Sequence, residues 1–176
     1  MDAQAPETIF ALLIGAGMVL TAAVMAFGGA ELRAELASSS LALAAVVAVA
    51  ATAGSLYFSE VRNFTPCELC WFQRIAMYPL AVMLPLATMR RDRGIVPYAL
   101  VLAGLGAAVS IYHYQLQLFP DQGSSCSADA PCSFRWVEVF GFVSIPLLAL
   151  GSFVLVITLL FIGRPPRSVL QEEPRP

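Results

Sequence analysis

Thr65-Pro66-Cys67-Glu68-Leu69-Cys70-Trp71-Phe72-Gln73-Arg74-Ile75-Ala76-Met77-Tyr78-Pro79 is the stretch that decides how this chain is built. It opens on polar and turn-forming residues. From Trp71 it enters a run that stays apolar to Met89, broken chiefly by Gln73 and Arg74. As a helix, such a run crosses the roughly 30 Å of hydrocarbon in a bilayer. The opening reads as a capping box, with Thr65 at the N-cap, Pro66 at the first helical position and Glu68 three after the cap. Cys67 and Cys70 then occupy the first turns of a membrane helix. Unpaired N–H groups and the positive end of the helix dipole favour thiolate there, and the i, i+3 spacing lets the two sulfurs bridge.

Four further apolar runs flank this one, approximately Ile9 to Phe27, Leu41 to Phe58, Ile95 to Leu116 and Val139 to Ile162. With 59% hydrophobic and 12% charged residues among 176, the composition lies outside the range of soluble domains and predicts an all-α membrane protein. Little chain is left for an aqueous domain, so any chemistry belongs to the helix bundle or its short loops. The first run follows Asp2 and Glu7 with no basic residue before it, unlike the basic start of a secretory signal, and reads as a retained span. The Pro- and charge-rich stretch from Arg164 to Pro176 reads as a disordered tail.

Orientation follows from arginine, since all ten basic residues are Arg. Arg90, Arg91 and Arg93 follow the third span and Arg164, Arg167 and Arg175 follow the fifth, which places both segments in the cytoplasm. The connection from Ser59 to Cys70 and the loop from about Gln117 to Glu138 then face outside, as does the acidic N-terminus. All four cysteines lie in these two segments.

Arg74 sits one turn below Cys70, with Gln73 beside it. An arginine within an apolar span costs a few kcal/mol on insertion scales and is normally paired, solvated or functional; a thiolate at Cys70 or a quinone carbonyl would satisfy it. The second pair lies in Ser125-Cys126-Ser127-Ala128-Asp129-Ala130-Pro131-Cys132, where the two cysteines can close a small loop. A tetrathiolate zinc site and two purely structural disulfides are the plain alternatives. A reduced zinc site suits an oxidising compartment poorly, and structural disulfides leave the helix-start placement and Arg74 unexplained. Two pairs on the oxidising side of a membrane point to a redox relay, with no metal expected.

The motif from Pro66 to Pro79 resembles that of the DsbB/BdbC disulfide bond formation proteins. Tyr112-His113-Tyr114-Gln115-Leu116-Gln117-Leu118-Phe119-Pro120, followed by Cys126, is similar to the stretch before that family's second pair. The likeness covers roughly Leu41 to Ile162. It implies a four-helix transmembrane bundle (41–163), and the apolar run and arginine pattern of this chain add to it an N-terminal transmembrane helix with a cytoplasmic connector (1–40) and the tail (164–176). It further implies a multi-pass inner-membrane thiol oxidase with its cysteines on the periplasmic side. Such an enzyme reoxidises a DsbA-like thioredoxin-fold partner, passes electrons to ubiquinone or menaquinone, supports disulfide formation in exported proteins, and needs no metal, flavin or nucleic acid.

Carried over by position, Cys126 forms the mixed disulfide with the partner and Cys132 is its loop mate. Cys67 exchanges with the loop pair, and Cys70 faces the quinone with Arg74 assisting. Gln73 and His113 join the quinone site by the same likeness, although an interfacial His113 meeting water or headgroups is an equally ordinary reading. Gln117, Trp71 and Tyr78 each have a pocket reading beside the commoner interfacial one. Pro79 and Pro85 are expected to kink the third span and are given no chemical role. The added helix and the short spacing from Cys126 to Cys132 depart from the family pattern. The alternatives in function are an oxidase like vitamin K epoxide reductase, which the order of the pairs opposes, and a non-enzymatic membrane protein with structural disulfides.

Overall fold

In the computed structural model, which describes residues 5–122, 126 and 130–163, the apolar runs form α1 (Ala5–Phe27), α2 (Ala30–Leu56), α3 (Glu68–Arg90), α4 (Val96–Leu118) and α5 (Ile145–Ile162). All five are long and apolar enough to cross a membrane, so the chain is an all-helical, multi-pass membrane protein. Among the described residues no strand forms, and pairing is limited to a bridge between Val139 and Val143. Helices α2, α3, α4 and α5 pack in sequence, α5 closes back on α2, and α1 lies outside this ring against α5 and α2. The four-helix bundle with one added helix is therefore present. The tail 164–176 and the acidic Asp2 lie outside the described residues.

Helices in lipid gain little from the hydrophobic effect on associating and depend on close packing, which small residues permit. Ala44 and Ala48 on α2 and Ala99 and Ala103 on α4 are fully buried, each pair one turn apart, and they meet Leu80 and Leu84 of α3 and Phe153 and Val156 of α5. Gly106 makes room for Phe153, because a Cβ at that glycine would lie 2.2 Å from the ring's Cζ. Larger apolar side chains, including Val46, Val82, Val101 and Leu105, are exposed on the outside of the bundle, where lipid would cover them.

Two helix starts differ from the hydropathy reading. Helix α2 begins at Ala30, well before Leu41. Ala30-Glu31-Leu32-Arg33-Ala34-Glu35-Leu36 is made of strong helix formers, which carry the helix beyond its apolar part. Helix α5 begins at Ile145, not Val139. Phe140 (φ 55°) and Gly141 (φ 79°) reverse the chain so that Val139 and Val143 pair, and Pro146 falls in the new helix's first turn. Helix α3 is continuous through Pro79 and Pro85.

The two ends of the bundle are held differently. At one end α2 passes into a π-helical turn, Tyr57–Val61, after which Asn63 adopts a positive φ of 56° and the chain turns toward Thr65. At the other, Arg91 caps α3 in the left-handed region, and Asp92 accepts the Gly94 N–H at 2.7 Å. Arg93 donates there to the carbonyls of Gly163, Ala37 and Ser38, drawing the ends of α5 and α2 toward the α3–α4 turn.

Candidate functional site

The site is assembled where α3 begins. The N-cap is Cys67, not Thr65: Cys67 is extended (φ −75°, ψ 173°), and α3 starts at Glu68. Its carbonyl accepts the Trp71 N–H at 3.2 Å, so the expected capping box does not form. Tertiary packing overrides the local signal, because Cys67 is drawn into a buried cluster with Leu116 and Cys132. The cysteine pair nevertheless stands at the helix start, with the Cys67 and Cys70 sulfurs 3.2 Å apart and not bonded to each other.

Cys126 and Cys132 are joined as a disulfide, with Cα atoms 6.0 Å apart. Cys132 is buried while Cys126 is partly exposed, so the two residues of one bond differ in access. Sγ of Cys67, Sγ of Cys132 and a ring nitrogen of His113 all lie within 4.8 Å of one another. With the Cys132 sulfur committed to its disulfide, this cluster is a thiol set against a disulfide, the arrangement that exchange requires.

His113, from α4, is buried between the pairs. Its Nε2 lies 3.1 Å from the Cys132 carbonyl oxygen and 3.5 Å from the Cys67 sulfur. On its other side, Nδ1 is 3.5 Å from Nε2 of Gln73, which also donates to Ser110 Oγ at 3.1 Å. Ser110 in turn donates to the Gly106 carbonyl at 2.8 Å. Since the Gln73 amide nitrogen can only donate, this network assigns Nδ1 as acceptor and Nε2–H as donor, aimed at Cys67 and the Cys132 carbonyl. The hydrogen bond with Cys70, followed by that with His113, outweighs burial and holds the Cys67 thiol well below the ordinary thiol range. This lowering favours the thiolate form of Cys67, the form that exchange uses.

On the other side of Cys70 a cavity opens among α2, α3, α5 and α1, with about 810 Å³ of space free of atoms, its mouth included. Its walls are mainly apolar, with Met77, Leu148 and Phe153 among them, and the polar groups facing it include Ser55, Gln73, Arg74 and Tyr78. Arg74 is anchored by Ser55, donating from Nε to Oγ at 3.0 Å and from a terminal nitrogen to the carbonyl at 3.1 Å. Trp71 and Tyr78 lie under the guanidinium, their ring centroids 5.2 and 6.0 Å from Cζ. Two N–H groups on Ser55 leave other donors of the guanidinium available.

Cys70 lines both this cavity and a smaller one that holds Cys67 and His113. Arg74 and Gln73 share the large cavity with Cys70; His113 does not line it and sits instead with the sulfurs. Gln117 also lies on the smaller side, where it donates to the Phe134 carbonyl at 3.2 Å and accepts Arg135 at its own carbonyl at 3.0 Å, fastening the second loop. Tyr78 borders the large cavity, whereas Trp71 is half-exposed beside it. Ser55, Ser110 and Trp136 escape the sequence reading because a serine in a span or an aromatic in a loop carries no local mark of its partner. Trp136 stacks on Phe64, centroids 5.1 Å apart, and both border the cavity.

The family model for disulfide bond formation protein DsbB matches residues 37–163. The chain is 49% identical over 114 residues to disulfide bond formation protein C of Bacillus subtilis (strain 168), spanning 64% of this chain and 83% of that one. It is 43% identical over 126 residues to a probable disulfide formation protein of Oceanobacillus iheyensis, spanning 70% and 87%. A probable disulfide formation protein C 2 of Bacillus anthracis is 38% identical over 125 residues, spanning 70% and 89%. No solved structure matches the chain.

Proposed function

The chain belongs to the DsbB family of disulfide bond formation proteins, and from that membership we propose that it is a thiol:quinone oxidoreductase. It reoxidises a DsbA-like thioredoxin-fold partner on the extracytoplasmic side of the bacterial inner membrane and delivers the electrons to ubiquinone or menaquinone. The observation that carries this reading is the position of Cys70, beside Cys67 on one side and open to the cavity of Arg74 and Gln73 on the other.

The sequence of steps follows from which sulfurs meet. A partner thiolate attacks Cys126, the more exposed residue of the loop disulfide, and Cys132 leaves as thiolate. When Cys67 and Cys70 are themselves disulfide-bonded, Cys132 attacks the neighbouring Cys67 and Cys70 leaves as thiolate. The partner's second thiol then resolves its bond to Cys126, giving the partner disulfide. Cys126 next attacks Cys132, which restores the loop disulfide and releases Cys67 as thiolate. The chain now holds one disulfide in the loop and a dithiol at Cys67 and Cys70, the state the structure describes. Two electrons pass from that pair to the quinone, which takes up two protons by way of solvent, matching the two the partner thiols gave up, and leaves as quinol while the Cys67–Cys70 disulfide is re-formed.

The apolar walls suit a quinone ring and its isoprenoid tail, and the remaining N–H donors of Arg74 suit carbonyl oxygens on which negative charge develops, with Gln73, whose own N–H groups are given to Ser110 and His113, lining the same cavity. Steady-state kinetics of Arg74→Ala against quinone concentration test the assignment. A raised KM or lowered kcat at near-normal membrane yield is expected, with partial recovery in Arg74→Lys through charge without the planar fork. Unchanged kinetics would remove Arg74 from the site.

A further inference from the structure

The family match begins at residue 37, so α1 lies before it, yet α1 supplies part of the large cavity's wall. Phe10 and Ile14, one turn apart on its inner face, border the same space as Cys70, Gln73 and Arg74. Two glycines of neighbouring helices make the approach close. A Cβ at Gly54 of α2 would lie 3.1 Å from the Phe10 ring, and one at Gly151 of α5 would lie 2.8 Å from the Ile14 side chain. Phe10 also packs against Phe58, centroids 6.0 Å apart.

The outer end of α1 is fixed as well. Glu7, 2% exposed, pairs with Arg62 at 3.3 Å. Arg62 lies over the Phe64 ring, 5.5 Å from its centroid, and Phe64 stacks on Trp136 at the cavity. Leu12, Leu13, Val19 and Leu20 are exposed, where lipid would cover them. The helix thus has an outward apolar face and a separate inward face built into the cavity.

We propose that α1 is a wall of the quinone site, with Phe10 and Ile14 contacting the ring-proximal part of the isoprenoid quinone and so helping to set which quinones enter. The assignment rests on the quinone reading above. The Glu7–Arg62 pair holds this wall in register with the segment that leads to Cys67.

The test uses the full-length chain in detergent, with ubiquinone carrying one isoprene unit and menaquinone carrying one isoprene unit as probes. Trimming a well-packed apolar contact costs about tenfold or more in discrimination, so Phe10→Ala is expected to raise the quinone KM about tenfold. The change should differ between the two quinones, and quinone-free thiol exchange between the loop pair and Cys67–Cys70 should keep its rate. Phe10→Leu, a milder change, should shift KM in the same direction if the alanine variant is poorly made. Leu13→Ala, on the outward face, should leave KM unchanged. On wild-type protein, a photoactivatable azido-quinone should label the peptide containing Phe10 and Ile14. Wild-type KM in Phe10→Ala, Phe10→Leu and Ile14→Ala, or label confined to α2–α5, would overturn the wall. Wild-type protein that neither reduces nor is labelled by quinone would overturn the acceptor assignment itself, and the wall with it.

Discussion

Replacing His113 by alanine removes the N–H that lies 3.5 Å from the Cys67 sulfur. A hydrogen bond to a charged group contributes about 1.5–3 kcal/mol, and one pH unit corresponds to about 1.4 kcal/mol. The Cys67 titration midpoint should therefore rise by about 1 to 2 pH units. It should not return to the ordinary thiol value, since the hydrogen bond with Cys70, the larger cause of the lowering, is retained. The sign is fixed by the charged form: the folded protein keeps Cys67 as thiolate down to a pH below the usual thiol range, and losing His113 raises the pH at which it protonates. The assay is the rate of Cys67 alkylation by iodoacetamide in the reduced protein as a function of pH, read from the mass of its peptide. His113→Gln, which can return an N–H, should recover part of the shift. An alkylation midpoint in His113→Ala equal to that of wild type would refute the thiolate-stabilising role.

Three further outcomes follow from the geometry. Cys132→Ser and Cys126→Ser should each abolish partner turnover, since either removes the loop disulfide; the free Cys126 of Cys132→Ser should displace thionitrobenzoate from a partner whose single reactive cysteine carries it, giving a mixed disulfide on non-reducing gels, whereas Cys126→Ser should give none. Gly106→Ala should drive a methyl into the Phe153 ring and cost about 1–3 kcal/mol by overpacking, seen as a lower thermal midpoint in detergent that Phe153→Leu partly restores. Asp92→Cys, at the end carrying Arg90, Arg91 and Arg93, should react with an impermeant maleimide only from the cytoplasmic face; labelling from outside would reverse the topology.

The membrane helices were legible because a span advertises itself as a long, mainly apolar run, and each of the five runs holds a helix in the structure. Their ends were not. The start of α2 is written in helix propensity instead of hydropathy, so a search for apolar residues stops at Leu41, and the turn before α5 is itself apolar, so the same search runs through it. Thr65 carried the local marks of a cap, but the burial of Cys67 against Leu116 and Cys132 decided where α3 starts, and that contact joins distant parts of the chain. The candidate site divides in the same way. Cys67, Cys70 and Arg74 stand in one motif and could be read together, as their spacing is local. That His113 faces the sulfurs, that Ser55 anchors Arg74 and that Phe10 borders the cavity depend on how separate helices meet, which periodicity does not encode.

In the proposed function, electrons taken from a dithiol partner leave through the Cys70 side of the bundle to a quinone. The most direct test of this route is an anaerobic reaction holding only the purified protein, a reduced thioredoxin-fold dithiol protein and a defined quinone, with quinol followed by absorbance and partner disulfide by mass. One quinol should form for each partner disulfide, with neither product beyond the enzyme's own equivalents in Cys70→Ser. Partner oxidation that proceeds catalytically with no quinol formed, or in Cys70→Ser at the wild-type rate, would contradict this route.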